Sequence, residues 1–296
     1  MIKTTTTTPT LTTISRLAQQ SLLVEVSLAP KPGLVDPFSA GAHHDMDYDL
    51  FLTSIQAWSP YLKLYLKLGV ASTDLTKLFD SLRRAGAQAE RMMLTATDHV
   101  NTHKGANFSY AVLLGALGWC LQTTSLADLA TQDFAPVFAA VQTMTAGITA
   151  ADFKDVSTKT NLSYGEQLYV DFGVTGIRGE AEAGYPALQA LALPWLRAHG
   201  ELPATRRYLE LMLYLIAELE DVNILHRGGL TALTQVQAYA KDLRAQTWPD
   251  MATLVRALQA FDAQMISWHL SPGGTADLLA LAIFFDQLAT SPLTAV

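Results

Sequence analysis

The sequence predicts an all-α protein, one globular domain of about ten to twelve helices, and three observations carry that prediction. Apolar residues recur at three- and four-residue steps along nearly the whole chain, the spacing that lines one face of a helix. No alternating run of useful length competes, and no Asn-Gly or Asp-Gly hairpin pair occurs. Half of the 296 residues are apolar, which is ample for a buried core.

Residues 1–13 are threonine-rich and contain no apolar segment, so they are expected to form a flexible tail, neither secretory signal nor membrane anchor. The all-α domain is expected over residues 14–296. Its first helix starts at Ile14, where Leu17, Ala18, Ser21 and Leu22 continue one face, and it stops before Pro30. A second helix spans 47–68 with a kink or break at Pro60, and Gly69 separates it from a third over 73–97, for which Thr73 and Asp74 are candidate caps. Further helices are expected at 107–122, 126–140, 164–170, 180–198, 205–219, 230–245, 249–270 and 275–288, with Pro203 and Pro249 suited to first turns. Residues 152–164 form the one plausible linker, and no fixed-period repeat suggests a solenoid.

Residues 105–127 carry no charge and approach the length of a bilayer span. Glycines interrupt the run and its continuously apolar centre covers only 111–121, so a buried core helix is expected and no membrane partner. The single cysteine, Cys120, excludes an intrachain disulfide and fits a reducing cytoplasm. A net charge of −7 argues against nonspecific nucleic-acid binding, which needs many cations on phosphates. An anionic ligand would require local basic groups or a metal ion.

Charged knots rich in glycine separate the helical segments. The first runs Pro30-Lys31-Pro32-Gly33-Leu34-Val35-Asp36, followed by Gly41-Ala42-His43-His44-Asp45-Met46-Asp47. Two prolines stiffen this loop, and a stiff loop holds binding groups without an ordering cost. Asp45 and Asp47 are candidate metal or substrate ligands of the oxygen type that suits magnesium, although first-turn acids also complement a helix dipole. A zinc site is disfavoured, because neither His-Glu-x-x-His nor a cysteine pair is present.

Downstream come Asn101-Thr102-His103-Lys104-Gly105 and Gly176-Ile177-Arg178-Gly179-Glu180-Ala181-Glu182. Lys104 would stand unfavourably at a helix N-terminus, which suggests a ligand for it. Glu180 and Glu182 are either first-turn acids or catalytic carboxylates. In Asp221-Val222-Asn223-Ile224-Leu225-His226-Arg227-Gly228-Gly229, placed at the end of a long helix, Arg227 suits bidentate phosphate contact. Gly228 and Gly229 would either cap that helix or let amides approach the same oxygens. Ser271-Pro272-Gly273-Gly274-Thr275-Ala276-Asp277 reads as a glycine loop entering a helix N-terminus at Thr275, where Gly273 and Gly274 would attract an anion and Asp277 could cap.

Taken in order, these six blocks resemble the triphosphoribosyl-dephospho-CoA synthase family, and the match spans essentially the whole chain. Asp221-Val222-Asn223 departs slightly from the family's Asp-Thr-Asn. The resemblance implies transfer of the 5-triphosphoribosyl group of ATP to the 2′-hydroxyl of 3′-dephospho-CoA with release of adenine. The product is the prosthetic-group precursor of citrate lyase or malonate decarboxylase. On that reading a carboxylate, Asp45, Glu180 or Glu182, steadies positive charge at the ribose C1′. His43, or else Asp45, takes the hydroxyl proton, and His103 or a neutral acid assists adenine. Magnesium held by Asp45, Asp47, Asp221 or Asp277 would neutralise the triphosphate beside Lys31, Lys104, Arg178, Arg227 and the glycine amides. The residues alone leave two rivals: a magnesium-dependent hydrolase of a ribosyl or phosphate bond, and a non-catalytic helical nucleotide-binding module. A homodimer is also left open, since no contact face is legible.

Overall fold

A helix that is apolar on every side is stable only when other helices surround it, and two such helices set the architecture. The computed structural model describes residues 8–294. Its first helices are α1 (Thr8–Ser27), α2 (Tyr48–Trp58), α3 (Pro60–Ala71), α4 (Leu75–Ala96) and α5 (Lys104–Cys120). Next come α6 (Leu126–Thr131), α7 (Ala135–Met144), α8 (Ile148–Phe153), α9 (Tyr164–Phe172) and α10 (Gly176–Glu182). The last are α11 (Leu193–Ala198), α12 (Ala204–Glu218), α13 (Val222–Arg244), α14 (Met251–Ser267) and α15 (Gly273–Ala289). No strand occurs among the described residues; Asp36 and Ser39 make one isolated bridge.

The uncharged segment beginning at Gly105 is the buried helix α5, as expected. It is enclosed by α3, α4, α7 and α15, and no described helix is long and apolar enough to cross a membrane. The second central helix, α15, is buried from Leu278 to Phe285 and packs on α1, α5 and α12. One continuous apolar cluster extends from Leu11 to Leu288. Amphipathic helices close the shell: α4 buries Leu78, Leu82, Ala85, Ala89 and Met93 at helical spacing and turns its other side outward.

Caps and breaks explain most boundaries. Asp74 accepts from the Thr76 and Lys77 amides at 2.9 and 3.2 Å, and Pro60 opens α3 instead of merely kinking a longer helix. Pro203 and Pro249 stand just outside their helices: the first is the N-cap of α12, and the second precedes the Asp250 cap of α14. Several expectations are corrected. The first helix starts at Thr8, inside the expected tail, and residues 1–7 lie outside the described residues. Part of the expected linker is helical, forming the end of α8 and a 3₁₀ turn at Val156–Thr158, while residues 159–163 are irregular and lead into α9. Short helices of six or seven residues, such as α6, α8, α10 and α11, divide the chain more finely than periodicity suggested. One turn of π-helix at Ala187–Ala192 leads into α11.

Glycine brings α3 and α5 into backbone contact. A Cβ at Gly69 would lie 2.0 Å from the Gly115 carbonyl oxygen, and one at Gly118 would lie 2.3 Å from the Leu66 carbonyl oxygen. Neither backbone can yield as a flexible side chain would. Gly118→Ala is therefore expected to destabilise the fold by about 1–3 kcal/mol through overpacking, measured as a lower urea midpoint at unchanged slope.

Candidate active site

The first loop is stapled at both ends before it presents any functional group. Asp36 is buried and accepts from the amides of Lys31, Phe38 and Ser39 at 3.1, 2.8 and 3.0 Å. The Gly33 amide donates to Asp262 Oδ1 at 2.8 Å, and a Cβ at Gly33 would strike the Leu270 carbonyl oxygen at 2.3 Å. That residue has φ +72°, so both conformation and approach demand glycine.

The loop directs Lys31 into a cavity of about 950 Å³, near the upper end of the usual range for small-molecule sites. Lys31 is only 2% exposed, and its ammonium donates to Glu25 Oε1 at 2.5 Å. Burial pushes the Glu25 carboxyl up, against the opposing pull of Lys31. The cavity also receives His43, His103, Lys104, Arg178, Glu180, Asp221, Arg227, Gly273, Gly274 and Asp277, so all five knots converge. The N-terminal ends of α5, α10, α13 and α15 line it, which aims the positive ends of four helix dipoles at one space.

Geometry revises several roles expected from sequence. His43 has both ring nitrogens engaged: Nε2 lies 2.9 Å from Ser271 Oγ, and Nδ1 lies 3.2 Å from Arg227 Nη2. A guanidinium can only donate, so Nδ1 accepts and Nε2 carries the proton toward Ser271. Burial and the Arg227 charge lower its pKa to about 4. His43 thus organises its surroundings, and Arg227 also donates to the carbonyls of Ala42 and His269 at 3.0 and 3.2 Å. His103 is buried at the N-cap of α5, with Nδ1 2.8 Å from Ser54 Oγ and 3.2 Å from Thr102 Oγ1. Burial, reinforced by the Lys31 charge, takes its pKa to about 3.

Asp221 does not end a helix; it is the N-cap of α13. Its Oδ1 accepts from the Asn223 and Ile224 amides at 2.9 and 3.3 Å, while Oδ2 accepts from the amide and hydroxyl of Thr275 at 2.7 and 2.9 Å. A carboxylate offers about four acceptor positions, so Asp221 is saturated and is unsuited to be a metal ligand. Gly273 and Gly274 open α15 two residues earlier than expected. A Cβ at Gly273 would lie 2.4 Å from Asn223 Nδ2, and one at Gly274 would lie 3.2 Å from Asp221 Oδ2, so these glycines admit the protein's own polar groups.

Other acids lie outside the cavity. Asp47 caps α2 by accepting from the Leu50 amide at 2.9 Å, and Asp45 is a 64% exposed side chain 3.9 Å from His43 Nδ1. Glu182 turns away and caps α8, accepting from the Gly147 amide at 2.6 Å and from the Thr149 hydroxyl. Gly228 and Gly229 also miss the cavity: Gly229, at φ 69° and ψ −170°, breaks the helical path inside α13. Lys104 owes its position to Glu90, 2.7 Å away on α4.

Asp277 is half-buried beside Gly105. Burial, then the Glu25 and Asp221 charges, push its carboxyl well above the usual range. Glu180 is also raised by burial, and it accepts from the Ala187 amide at 3.3 Å. Among the described residues no group of three or more His, Cys, Asp or Glu side chains gathers to cage a metal. Glu25 begins the stretch that leads into the first knot but received no role from the sequence, although it continues the buried face of α1 after Ser21 and Leu22, where a carboxylate needs a partner. Sequence reasoning also missed Arg83 and Asp152, which line the cavity, Asp152 accepting from both Arg83 and Arg178. No local pattern announces that encounter.

An all-α scaffold whose cleft gathers cations, imidazoles and carboxylates pushed up by burial has the make-up of an enzyme active site. A family model described as CitG, ATP:dephospho-CoA triphosphoribosyl transferase, matches residues 11–293, and the chain belongs to that family. A protein of Streptococcus equi subsp. equi (strain 4047) is 44% identical over 285 residues, which cover 93% of this chain and 96% of that one. A protein of Streptococcus pyogenes serotype M5 (strain Manfredo) is 43% identical over 289 residues, 94% of this chain and 97% of that one. Both bear the name "Probable 2-(5''-triphosphoribosyl)-3'-dephosphocoenzyme-A synthase". A crystal structure from Archaeoglobus fulgidus has a TM-score of 0.46 and 19% identity, covering 81% of this chain and 99% of that chain.

The histidines make a pH prediction. The unfolded chain protonates His103 as pH falls through about 6.5, whereas the folded protein refuses that proton until about 3. Its contribution is therefore complete above pH 6.5 and is lost toward pH 3. His103→Gln should flatten the acid side of the stability profile by up to about 1.4 kcal/mol per pH unit. Urea unfolding across that range measures it, and an unaltered slope would contradict a buried neutral imidazole.

Proposed function

We propose that the chain transfers the 5-triphosphoribosyl group of ATP to the 2′-hydroxyl of 3′-dephospho-CoA and releases adenine, making the prosthetic-group precursor of citrate lyase. The convergence of all five knots on one cavity of about 950 Å³ carries this reading, because two nucleotides must be held together for direct transfer. The described residues, 8–294, act as one catalytic domain. The single buried thiol, Cys120, and nucleotide substrates fit a reducing, cytoplasmic setting.

In the reaction the bond from C1′ to the adenine nitrogen breaks and a bond from C1′ to the acceptor oxygen forms. The hydroxyl loses one proton and adenine gains one, so the overall step is proton-neutral. Positive charge develops on the ribose as adenine departs, and cleft carboxylates stabilise that charge more than the neutral ground state. Glu180 is the general base of this proposal: its carboxyl faces the cleft, and burial raises it above the usual carboxylate range. His43 holds Ser271 and Arg227 in place, and the four helix N-termini favour anionic substrates throughout the cleft.

Magnesium belongs to the proposal as a partner of the triphosphate. Of the four acids expected as ligands, Asp277 alone faces the cleft with acceptor capacity remaining, and magnesium needs only one or two carboxylates beside substrate phosphates. Burial, and then the nearby Glu25 and Asp221 charges, raise the Asp277 carboxyl, and a cation held there would offset those like charges. When bound, the ion neutralises the transferred triphosphate.

The test is adenine release measured with ATP alone and with ATP plus dephospho-CoA. Release only with the acceptor supports transfer; equal release without it indicates hydrolysis, and none in either case refutes the enzyme reading. Glu180→Gln should lower kcat by about a hundredfold or more, the usual worth of a positioned acid or base. Asp45→Asn, exposed at the rim, should change kcat by only a few-fold. A chelator should abolish turnover and added magnesium restore it, with Asp277→Asn requiring more magnesium for half-maximal rate.

A further inference from the structure

We propose that Arg83, Arg178 and Asp152 form a phosphate clamp in the cleft wall that receives the phosphoanhydride oxygens of one nucleotide substrate. The proposal rests on the two-nucleotide reading above and adds a binding subsite to it. The trio is assembled from three helices that are distant in sequence. Arg83 belongs to the face of α4 that presents Phe79, Gly86 and Glu90 to the same cavity. Its Nη1 and Nη2 donate to the two oxygens of Asp152, on α8, at 3.0 and 3.4 Å. Arg178, on α10, donates from Nε to Asp152 Oδ2 at 2.8 Å.

Two guanidiniums thus share one carboxylate and retain a formal surplus of one positive charge. A structural link between helices would need only one arginine. Arg178 uses Nε for Asp152, and its two terminal nitrogens have no hydrogen-bond partner described. Each guanidinium has five N–H donors in a planar fork that matches phosphate oxygens, so donor capacity survives the contact with Asp152. Both forks are also held over rings, Arg83 at 5.7 Å from the Phe79 centroid and Arg178 at 5.5 Å from that of Phe153. This pre-orients long side chains that would otherwise lose entropy on binding.

The site is reachable. The Arg83 and Arg178 side chains are 48% and 32% exposed, and Asp152 is 16% exposed. Gly165 also lines the cavity here, and a Cβ on it would already lie 3.3 Å from Arg178 Nη1, so its bare backbone preserves room around the guanidinium. Asp152 is the resident counter-ion that keeps the two forks aligned when no phosphate is bound. The shared ligand chemistry is a chain of phosphoryl groups, supplied either by the ATP triphosphate or by the dephospho-CoA pyrophosphate.

Isothermal titration of the full chain with inorganic pyrophosphate, ATP and dephospho-CoA, each alone, tests the clamp. Arg83→Gln and Arg178→Gln should each weaken pyrophosphate and one of the two nucleotides by about tenfold or more, while the other nucleotide changes less than about twofold. The nucleotide affected identifies the occupant. Asp152→Asn, which removes the competing anion, should tighten pyrophosphate binding. Arg83→Lys and Arg178→Lys keep the charge without the fork and should recover only part of the loss; they carry the test should a glutamine variant not fold. Wild-type binding of all three ligands by folded arginine variants would overturn the proposal. So would uniform weakening by every variant in step with a lower Tm, which would mean that the trio only ties helices together. Pyrophosphate binding requires no chemistry, so the clamp can stand if adenine transfer fails, and transfer can stand if the clamp fails.

Discussion

A lysine ammonium only 2% exposed survives inside this helical core because the Glu25 carboxylate meets it at 2.5 Å, and the chemistry of the cleft is organised around that pair. Removing one partner would leave a buried uncompensated charge, a cost of about 3–5 kcal/mol. Lys31 adds to the burial that keeps His103 neutral, and Glu25 adds to the burial that raises Asp277. The C-terminal part of α1, the first loop, the start of α5 and the start of α15 are therefore coupled by charges in a poorly solvated space. Two central helices, α5 and α15, buried along most of their length, form the core beside that space.

Close backbone approach is the second requirement of the site. Gly33 admits the Leu270 carbonyl, Gly105 admits Asp277, and Gly273 admits Asn223. Gly105 and Gly273 let one wall of the cleft touch another, and Gly33 seats the first loop against the end of α14, so segments from opposite ends of the chain are packed together at the site. Asp221 completes this arrangement by joining the N-terminus of α13 to that of α15 through four hydrogen bonds. A carboxylate in that position takes up local donors, while the remaining dipoles still face the cavity.

The helices and the composite site were largely legible from the residues, for reasons that are local. Apolar spacing marked the buried faces, Asp74 marked a helix start, Pro60 marked an interruption that is in fact the start of α3, and the uncharged stretch after Lys104 announced a core helix. Lys31, His103, Arg178, Glu180 and Asp277 stood out because charge beside glycine, at the end of an apolar run, contributes little to folding alone. Glu25 was legible in principle, since it falls on the apolar stripe of α1. The short helices and the α13 break at Gly229 were not, because six- or seven-residue segments have too little periodicity to reveal themselves.

The sequence by itself determined the helical class, the buried faces and the six blocks whose order marks the family. The helical class and the buried faces depend on neighbours a few residues apart, where spacing sets the physics, and the blocks mark the family by resemblance. Only the tertiary structure decided which charges meet: Glu182 and Asp47 were taken up as caps, Asp221 was saturated by amides, and Arg83 joined Arg178 across Asp152. A carboxylate is a cap, a counter-ion or a catalyst according to the donors around it and the water withheld from it. Both are set by packing between segments far apart along the chain.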